Sequence, residues 1–560
     1  MKTKSAPSIQ ILLLVIAVFM LVPACTSEKN PSLARSADEL AFSWNNANIY
    51  FLLTDRFYNG DLSNDVNFDR NKSTAVNRGF QGGDLAGVTK KIKEGYFNEL
   101  GITALWMTPF FEQIHGQVDE GTGETYGFHG YWAKDWTALD PNFGTMEELA
   151  ELIETAHAHG IRIVMDVVIN HTGPVTDVDP VWPADWVRTG PRCTFADYKH
   201  TVTCTLVENL PDIRTESEEA VELPPALLEK WEKEGRLEKE LAELDAFFEE
   251  TGYPRAPKYY IIKWLTDYVK KFGINGYRLD TAKHTEEGVW KILRVEADKA
   301  INAWNEAHPD SPYAEEPFYM VGEVYNYGIS GGHFFNFGDT LVDFYAEGID
   351  HLINFEFKYD ANNSYEQIFS KYSDLLNGDL EGNGVLNYIS SHDDGGPFDI
   401  RRERTFEAGT KLLLCPGASQ VYYGDETARP LIVEGASGDA NLRSFMNWDE
   451  LASNTETAAL HTHFSKLGKF RSAHPAVGAG THQVLSETPY IFKRSYMEGN
   501  KSDVVVIGLD LPLEPVKISV EGIFEDGSVL KDAYSGLSAS VENGFVEFNT
   551  GNPILLIGLF

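Results

Sequence analysis

Acidic and imidazole side chains follow four short apolar runs of the chain. The four segments are Asp166-Val-Val-Ile-Asn170-His171, Gly276-Tyr-Arg278-Leu-Asp280, Gly322-Glu323-Val324 and Ser391-His392-Asp393-Asp394. A protonated carboxyl group can act as a general acid, and an ionised one as a base or a nucleophile. Carboxylates gathered at one place disfavour each other's ionisation, so their convergence would indicate a functional site.

Eight apolar and β-branched runs alternate with amphipathic helical patterns, which indicates repeated βα units. We predict strands over Ile49–Asp55, Ile102–Pro109, Ile161–Val168, Gly276–Asp280, Tyr319–Val324, Leu352–Phe357, Leu386–His392 and Gln420–Asp425. This pattern predicts an α/β fold, a (β/α)8 TIM barrel, in which the residues after the strands share one face. The four segments would then meet at the mouth of the barrel.

Two further regions accompany the predicted barrel. About 105 residues separate Asn170 from Gly276, more than one crossover helix needs. We therefore predict an inserted subdomain over 171–256, between barrel parts 41–170 and 257–476, and interpret its acidic stretch Glu216–Glu250 as a solvated helical appendage. Alternating strand-like runs then predict a C-terminal β-sandwich over 477–560.

The composition limits the possible partners. The 560 residues include 47 Lys and Arg against 84 Asp and Glu, a net charge of −37, and 12% of them are aromatic. The aromatic content supports a large core and excludes global disorder. The negative charge repels phosphate backbones and anionic lipids, so we expect no nucleic-acid partner and favour neutral molecules or cations as ligands.

Residues 1–24 have the pattern of a secretory signal. Lys2 and Lys4 precede the apolar stretch Ile9–Val22, which is short for a membrane span. The end of this stretch, Leu21-Val-Pro-Ala-Cys25, resembles a bacterial lipoprotein cleavage box. It predicts export, acylation of Cys25, a tether over 25–40 and membrane attachment through that lipid alone. An uncleaved anchor and ordinary signal-peptide cleavage remain alternatives.

Three cysteines follow Cys25. Cys193 and Cys204 lie close together in a segment rich in Gly and Pro, and an oxidising compartment would favour a local disulfide between them. Cys415 lies in an apolar run and is interpreted as a buried free thiol. No spacing of Cys and His suggests a zinc site.

The strand-end segments resemble the motif set of the α-amylase superfamily of retaining glycoside hydrolases. Matching segments also occur, in family order, at Tyr50–Phe57, Gln81–Leu85, Leu105–Pro109, His129–Trp132, Leu210–Asp212 and Val421–Glu426. The resemblance covers roughly residues 45–470.

This resemblance implies three catalytic carboxyl groups. Asp280 would be the nucleophile, Glu323 the general acid and base with a raised pKa, and Asp393 the third carboxylate. Arg278 lies two residues before Asp280 on one strand, so both side chains share a face, where the cation would keep Asp280 ionised. Asp394 could replace Asp393 if the register differs, and Asp166 would support the barrel.

The resemblance also implies substrate contacts. The expected set is Tyr131, Trp132, His129, His171, Arg278, Lys283, His284 and His392. His171 and His392 would donate hydrogen bonds to the sugar at the cleavage point, and Tyr131 would stack on it. The pair Lys283 and His284 is typical of relatives that cut internal α-1,4-glucosidic bonds.

Oxygen ligands suggest Ca²⁺ as a cofactor. The motif match assigns one ion to Asn170, Asp212 and the backbone carbonyl of His284, although the two side chains could simply cap turns. A second site, known in some relatives, would use Asn59, Asp61, Asn64, Asp65 and Asp84. An Asx-rich turn is the alternative for that loop.

The leading hypothesis is an exported, monomeric, calcium-binding endo-α-amylase that acts on starch, glycogen or maltodextrins. A transglycosylase or maltogenic exo-enzyme with the same machinery is one alternative. A catalytically silent glycan-binding lipoprotein is another, disfavoured because Asp280, Glu323 and Asp393 are all present.

Overall fold

Eight parallel strands close into a barrel in the computed structural model, which describes residues 42–559. The predicted signal peptide, Cys25 and the tether lie outside the described residues. The strands are β1 Asn48–Leu52, β2 Ala104–Met107, β3 Arg162–Val167, β4 Gly276–Leu279, β5 Tyr319–Gly322, β6 His351–Asn354, β7 Gly384–Tyr388 and β8 Ala418–Tyr422. Each strand pairs with its neighbours in sequence, and β8 closes on β1. The predicted TIM barrel is confirmed.

The strands are buried along their whole length, because side chains fill the barrel on one face and helices cover the other. They end earlier than the apolar runs suggest. Asp280 and Glu323 each follow a strand by one residue, whereas β7 ends at Tyr388 and leaves His392 and Asp393 in the loop beyond. The prediction that the seventh strand reaches His392 is therefore wrong.

Within residues 42–559, seven helices of more than two turns surround the barrel, and two more lie in the insert. In chain order they are α1 Leu85–Lys93, α2 Met146–Ala158, α3 Pro225–Lys233, α4 Leu237–Thr251, α5 Pro257–Phe272, α6 Glu287–Ala307, α7 Tyr365–Leu376, α8 Thr405–Leu414 and α9 Thr455–Ala473. A capping box between Thr145 and Glu148 begins α2. On α5, Ile261, Leu265 and Tyr268 are buried, as the sequence pattern predicts.

The region between β3 and α5 contains the insert. Val187–Arg188 pairs with Asp212–Ile213, and a disulfide joins Cys193 to Cys204 as predicted. The acidic stretch is helical and most of its acidic side chains are exposed, as interpreted, but its inner face is anchored. Trp231 of α3 is fully buried, and its ring meets the Trp264 ring edge to face at 6.1 Å. Lys230 donates a 2.8 Å hydrogen bond to Asp135.

Antiparallel strands form the C-terminal region. They are β9 Thr481–Glu487, β10 Tyr490–Glu498, β11 Lys501–Leu509, β12 Val516–Ser519, β13 Val529–Asp532, β14 Ser538–Ser540, β15 Phe545–Phe548 and β16 Leu555–Gly558. A six-stranded sheet, β9-β10-β11-β16-β13-β14, packs on the pair β12-β15. Val506 and Leu530 of the larger sheet share one apolar cluster with Ile518 and Val546 of the smaller, which confirms the predicted sandwich.

One prediction about a single residue can be checked here. Cys415 is a free, buried thiol, as its apolar run indicates. Across residues 42–559, no helix combines the length and the apolar character that a membrane crossing requires.

Candidate active site

Arg278 is the centre of the carboxylate cluster at the barrel mouth. Its Nη1 lies 2.9 Å from Asp166 Oδ1 and 2.6 Å from Asp280 Oδ1, and its Nη2 lies 3.0 Å from Glu323 Oε2. Parallel register explains the arrangement, because Arg278 on β4 pairs with Asp166 on β3. One buried guanidinium thus links carboxylates from three consecutive strands.

The two carboxylates predicted to react occupy equivalent positions on neighbouring strands. Leu279 pairs with Gly322 at the ends of the two strands, and Asp280 and Glu323 directly follow this pair. The backbone N–H of Thr281 donates a 2.8 Å hydrogen bond to Glu323 Oε2. Both carboxylates contact the same guanidinium, through Nη1 and Nη2, so the two groups lie close to each other.

Burial raises the pKa of both groups. The pKa of Asp280 rises to about 7 and that of Glu323 to about 8, because burial outweighs the opposing effect of Arg278. The raised pKa of Glu323 is confirmed. The expectation for Asp280 needs correction: Arg278 does favour its ionised form, but less than burial disfavours it.

The loop after β7 presents Asp393 and turns Asp394 away. The Asp394 carboxylate accepts hydrogen bonds from Lys358 and Tyr388. Asp393 keeps 33% of its side chain exposed, and its charge acts on both Asp280 and Glu323. The carboxylate that faces the cluster is therefore that of Asp393, and that of Asp394 is turned away.

Aromatic rings form one wall of the site. The Tyr131 hydroxyl donates a 2.8 Å hydrogen bond to Asp166, and its ring stacks at 5.2 Å on that of His392. The backbone N–H of Tyr131 donates to Nδ1 of His129 at 3.1 Å. Trp132 is 4% exposed and packs with Ile114 and Leu210. Tyr131 thus lies next to the cluster, whereas His129 and Trp132 support it.

The two predicted histidine donors differ in their contacts. The ring of His171 uses Nε2 for the Tyr131 carbonyl at 3.1 Å, and its Nδ1 is buried without a hydrogen-bond partner. Burial lowers the pKa of His171 to about 4, so the ring is neutral at pH 7. The carbonyl of His392 accepts a 2.9 Å hydrogen bond from Arg443 Nε, which fixes its backbone.

Lys283 and His284 lie on the Glu323 side of the cleft. Lys283 Nζ donates to the carbonyl of Tyr325 at 3.0 Å. The imidazole of His284 points to the insert, where its Nδ1 lies 2.9 Å from the Thr201 carbonyl. The side chain of His284 therefore docks the disulfide loop.

Asn170, Asp212 and His284 converge where the first calcium site was predicted. One terminus of the Asn170 amide lies 2.7 Å from the His284 carbonyl and 3.3 Å from Asp212 Oδ1. With the amide oxygen inward, three oxygens face one point and suit a hard cation; with the NH₂ inward, it donates to both. The residues fit Ca²⁺. Burial raises the pKa of Asp212 to about 9 even though Arg188 Nε lies 2.8 Å from its Oδ2, so a second cation would further favour the ionised carboxylate.

The second predicted site is partly a turn. Asp84 caps α1, accepts backbone hydrogen bonds from Gly60 and Asp61, and accepts a 3.3 Å bond from Asn64 Nδ2. Asn59 Nδ2 donates to Asp65 at 2.8 Å. The side-chain oxygens of Asn59 and Asn64 are buried and unpaired. No cluster of three or more His, Cys, Asp or Glu side chains suited to a metal occurs within 42–559.

Several residues at the mouth escape sequence reasoning. Arg443 and Lys358 reach the cluster from distant loops, and no local pattern marks them. Tyr325, 38% exposed, lies near Lys283, and its position two residues after Glu323 is the one signal that could have found it.

A TIM barrel that carries Asp280, Glu323 and Asp393 around one arginine has the architecture of a glycoside hydrolase. The family profile of the alpha-amylase catalytic domain matches residues 51–459. The chain therefore belongs to the alpha-amylase family of glycoside hydrolases and transglycosylases.

The chain is similar both to alpha-amylases and to cyclomaltodextrin glucanotransferases. A periplasmic alpha-amylase of Escherichia coli (strain K12) is 35% identical over 540 residues, covering 85% of this chain and 74% of the relative. A cyclomaltodextrin glucanotransferase of Thermoanaerobacterium thermosulfurigenes is 26% identical, covering 83% and 59%. The crystal structure of an Anoxybacillus alpha-amylase has a TM-score of 0.63 at 22% identity, covering 92% and 98%, and supports the fold.

Proposed function

We propose that the protein is an endo-acting α-amylase that hydrolyses internal α-1,4-glucosidic bonds of starch, glycogen or maltodextrins with retention. The observation that carries this proposal is the pair Asp280 and Glu323 on one buried guanidinium. The similarity to a relative named as an alpha-amylase over 85% of the chain supports it.

The geometry suits a double displacement. In the first step Glu323 donates its proton to the leaving oxygen while Asp280 attacks the anomeric carbon, so the glycosidic bond breaks and an ester to Asp280 forms. In the second step Glu323 removes a proton from water, whose oxygen attacks the same carbon and releases Asp280. Two inversions at one carbon give net retention.

Other side chains assist these steps. Arg278 favours the ionised form of Asp280, which the burial of the site opposes. Tyr131, stacked beside His392, offers its ring to the apolar face of the sugar. Asp393 bears the most exposed of the three carboxylates and is placed to bind sugar hydroxyls and stabilise the positive charge of the transition state.

Transglycosylation is the second candidate. Cyclomaltodextrin glucanotransferases are among the relatives, and Tyr325 offers a partly exposed ring close to Lys283 on the leaving-group side. A sugar held there could compete with water for the glycosyl ester. The proportion of longer products measures this competition.

We further propose that Asn170, Asp212 and the His284 carbonyl hold one Ca²⁺. The ion would supply positive charge that docks the insert on the barrel, since Asp212 belongs to the insert and the other two ligands follow β3 and β4. The unpaired oxygens of Asn59 and Asn64 make the loop of Asn59, Asp61, Asn64, Asp65 and Asp84 the second candidate.

Export and lipid attachment at Cys25 form a separate proposal. The similar Escherichia coli relative is named as periplasmic, and the disulfide suits an oxidising compartment. Labelled palmitate should enter the protein expressed with its full leader and should not enter a Cys25→Ser variant. Labelling of that variant would contradict acylation at Cys25.

The product time course from soluble starch and from maltoheptaose tests the function. Early mixed maltodextrins support an endo-acting hydrolase. Products longer than maltoheptaose support transglycosylation, and a single dominant product supports an exo-enzyme. No products at all would leave the glycan-binding alternative.

A further inference from the structure

A buried ion pair lies beside Asp393. Lys358, in the short helix Phe357–Asp360 after β6, pairs with Asp394 in the loop after β7. Their side chains are 5% and 6% exposed. Tyr388, the last residue of β7, donates its hydroxyl to the same carboxylate, and the N–H of Gly396 donates to Asp394 Oδ1 at 3.1 Å.

Asp393 has little support of its own. In the described part of the chain its carboxylate makes one ion-pair contact, His392 Nε2 at 3.7 Å, which is too long for a hydrogen bond. The loop continues through Gly395 and Gly396, whose backbones have the fewest steric restraints. The position of Asp393 therefore depends on what fixes its two neighbours: Arg443 holds the His392 carbonyl, and Lys358 holds the Asp394 carboxylate.

The Lys358–Asp394 ion pair also affects Asp393 through its charge. Asp393 and Asp394 are adjacent, and two ionised carboxylates this close repel each other unless a cation compensates one of them. Lys358 supplies that cation from the short helix after β6. Without it the buried Asp394 carboxylate would lose its compensating charge and turn out of its buried position, carrying Asp393 with it.

We propose that Lys358 is a positioning residue: acting through Asp394, it holds the loop 392–396 so that Asp393 faces the sugar at the cleavage point. The inference rests on the proposed function. It assigns to Lys358 no contact with substrate.

A double-mutant cycle tests this role. Lys358→Met removes the charge at similar length, Asp394→Asn removes its partner, and the double variant removes both. Because Asp393 acts mainly in the transition state, Lys358→Met should lower kcat about 30-fold or more and change KM by less than about threefold. Lys358→Arg should stay within about fivefold of the parent, since it can still pair with Asp394.

The double variant separates positioning from direct contact. If Lys358 acts by compensating the charge of Asp394, kcat of the double variant should be at least about tenfold higher than kcat of Lys358→Met. A double variant as impaired as Lys358→Met, or a Lys358→Met variant with unchanged kcat, would overturn the inference. An inactive parent would instead contradict the proposed function.

Lys263→Met is the matched control. Lys263 on α5 is equally buried, with a side chain 5% exposed, and pairs with Asp267 and Glu243 on the outside of the barrel. Its loss should lower the Tm and leave kcat unchanged. An equal fall of kcat in Lys263→Met and Lys358→Met would show a general effect of losing a buried cation and overturn the positioning role.

Discussion

The carboxylate cluster and the insert lie side by side but are held in place differently. Asp280 and Glu323 follow strands in fixed register, and Arg278 ties them together from within one of those strands. The insert reaches the barrel through separate contacts, such as the Thr201 carbonyl to His284 and the convergence of Asp212 with Asn170.

The difference separates chemistry from the shape of the cleft. Hydrogen-bonded strands fix the positions of Asp280 and Glu323, so these positions change little unless the barrel itself unfolds. The contacts of the insert are numerous but separate, such as Lys230 to Asp135 and Thr215 to Glu286, and each can be removed alone. Substitutions in the cluster should therefore change kcat, and substitutions in the insert should mainly change stability and KM.

The largest effect should come from Asp280→Asn. The amide cannot act as the nucleophile, so we expect kcat to fall about 10⁴-fold or more with the fold retained. Asp166→Asn is the matched control, since it loses a contact with the same Arg278 Nη1 but has no reacting role. It should be at least about 100 times more active than Asp280→Asn, and equal losses would assign the effect to Arg278 instead.

The pH profile tests the cluster without mutation. kcat/KM should fall as the pH drops below about 7, because Asp280 becomes protonated, and as it rises above about 8, because Glu323 loses its proton. Both pKa values are higher than in the unfolded chain, so the stability these groups contribute at low pH is lost as the pH rises towards 8. Constant kcat/KM from about pH 5 to pH 9 would contradict this assignment.

Calcium removal tests how the insert is docked. EDTA should lower the Tm, and free Ca²⁺ at about 100 times its Kd should restore about 2.7 kcal/mol of stability. Asp212→Asn should weaken this response, whereas Asp245→Asn on α4, where the carboxylate is 70% exposed, should keep it. The same Tm with EDTA and with Ca²⁺ would remove the calcium proposal.

Opening the disulfide should have a smaller effect on catalysis. In Cys193→Ser/Cys204→Ser the loop that contacts His284 becomes freer, so we expect KM for maltoheptaose to rise several-fold, kcat to stay within about threefold and about 2–4 kcal/mol of stability to be lost. Steady-state kinetics and thermal unfolding measure both effects. Cys415→Ser should keep KM, and a rise there as well would show that the loop is not the cause.

The smallest effect on catalysis should come from Trp231→Ala. The ring is fully buried at the side of the barrel, so its loss should cost about 3–5 kcal/mol of stability. The kcat per folded molecule should stay within about twofold of the parent at 20 °C. A larger fall in kcat would show that α3 acts on the cleft.

Local patterns were enough to predict the barrel and the acidic residues at its mouth, whereas the roles expected of Asp280 and Glu323 came from the family resemblance. Each strand is a buried apolar run, and a chemically active residue at a strand end lies at the mouth in any such barrel. Asp280 and Glu323 follow their strands by one residue, so a small error in a strand boundary did not displace them.

Contacts between distant loops were not predictable. Lys358 and Asp394 are 36 residues apart, and Arg443 reaches the His392 carbonyl across 51 residues. No periodicity encodes such pairs. The raised pKa of Asp280 was also not predicted, because the effect of desolvation depends on how completely the surrounding side chains exclude water.

Trapping the glycosyl ester tests the central claim most directly. In Glu323→Gln, α-maltosyl fluoride can still form the ester, because fluoride leaves without an acid, but water is no longer activated to remove it. Mass spectrometry of the digested protein should then find one maltosyl group on the peptide that contains Asp280. A maltosyl group on Asp393 or Asp166 instead, or none under conditions where the fluoride is consumed, would contradict the account.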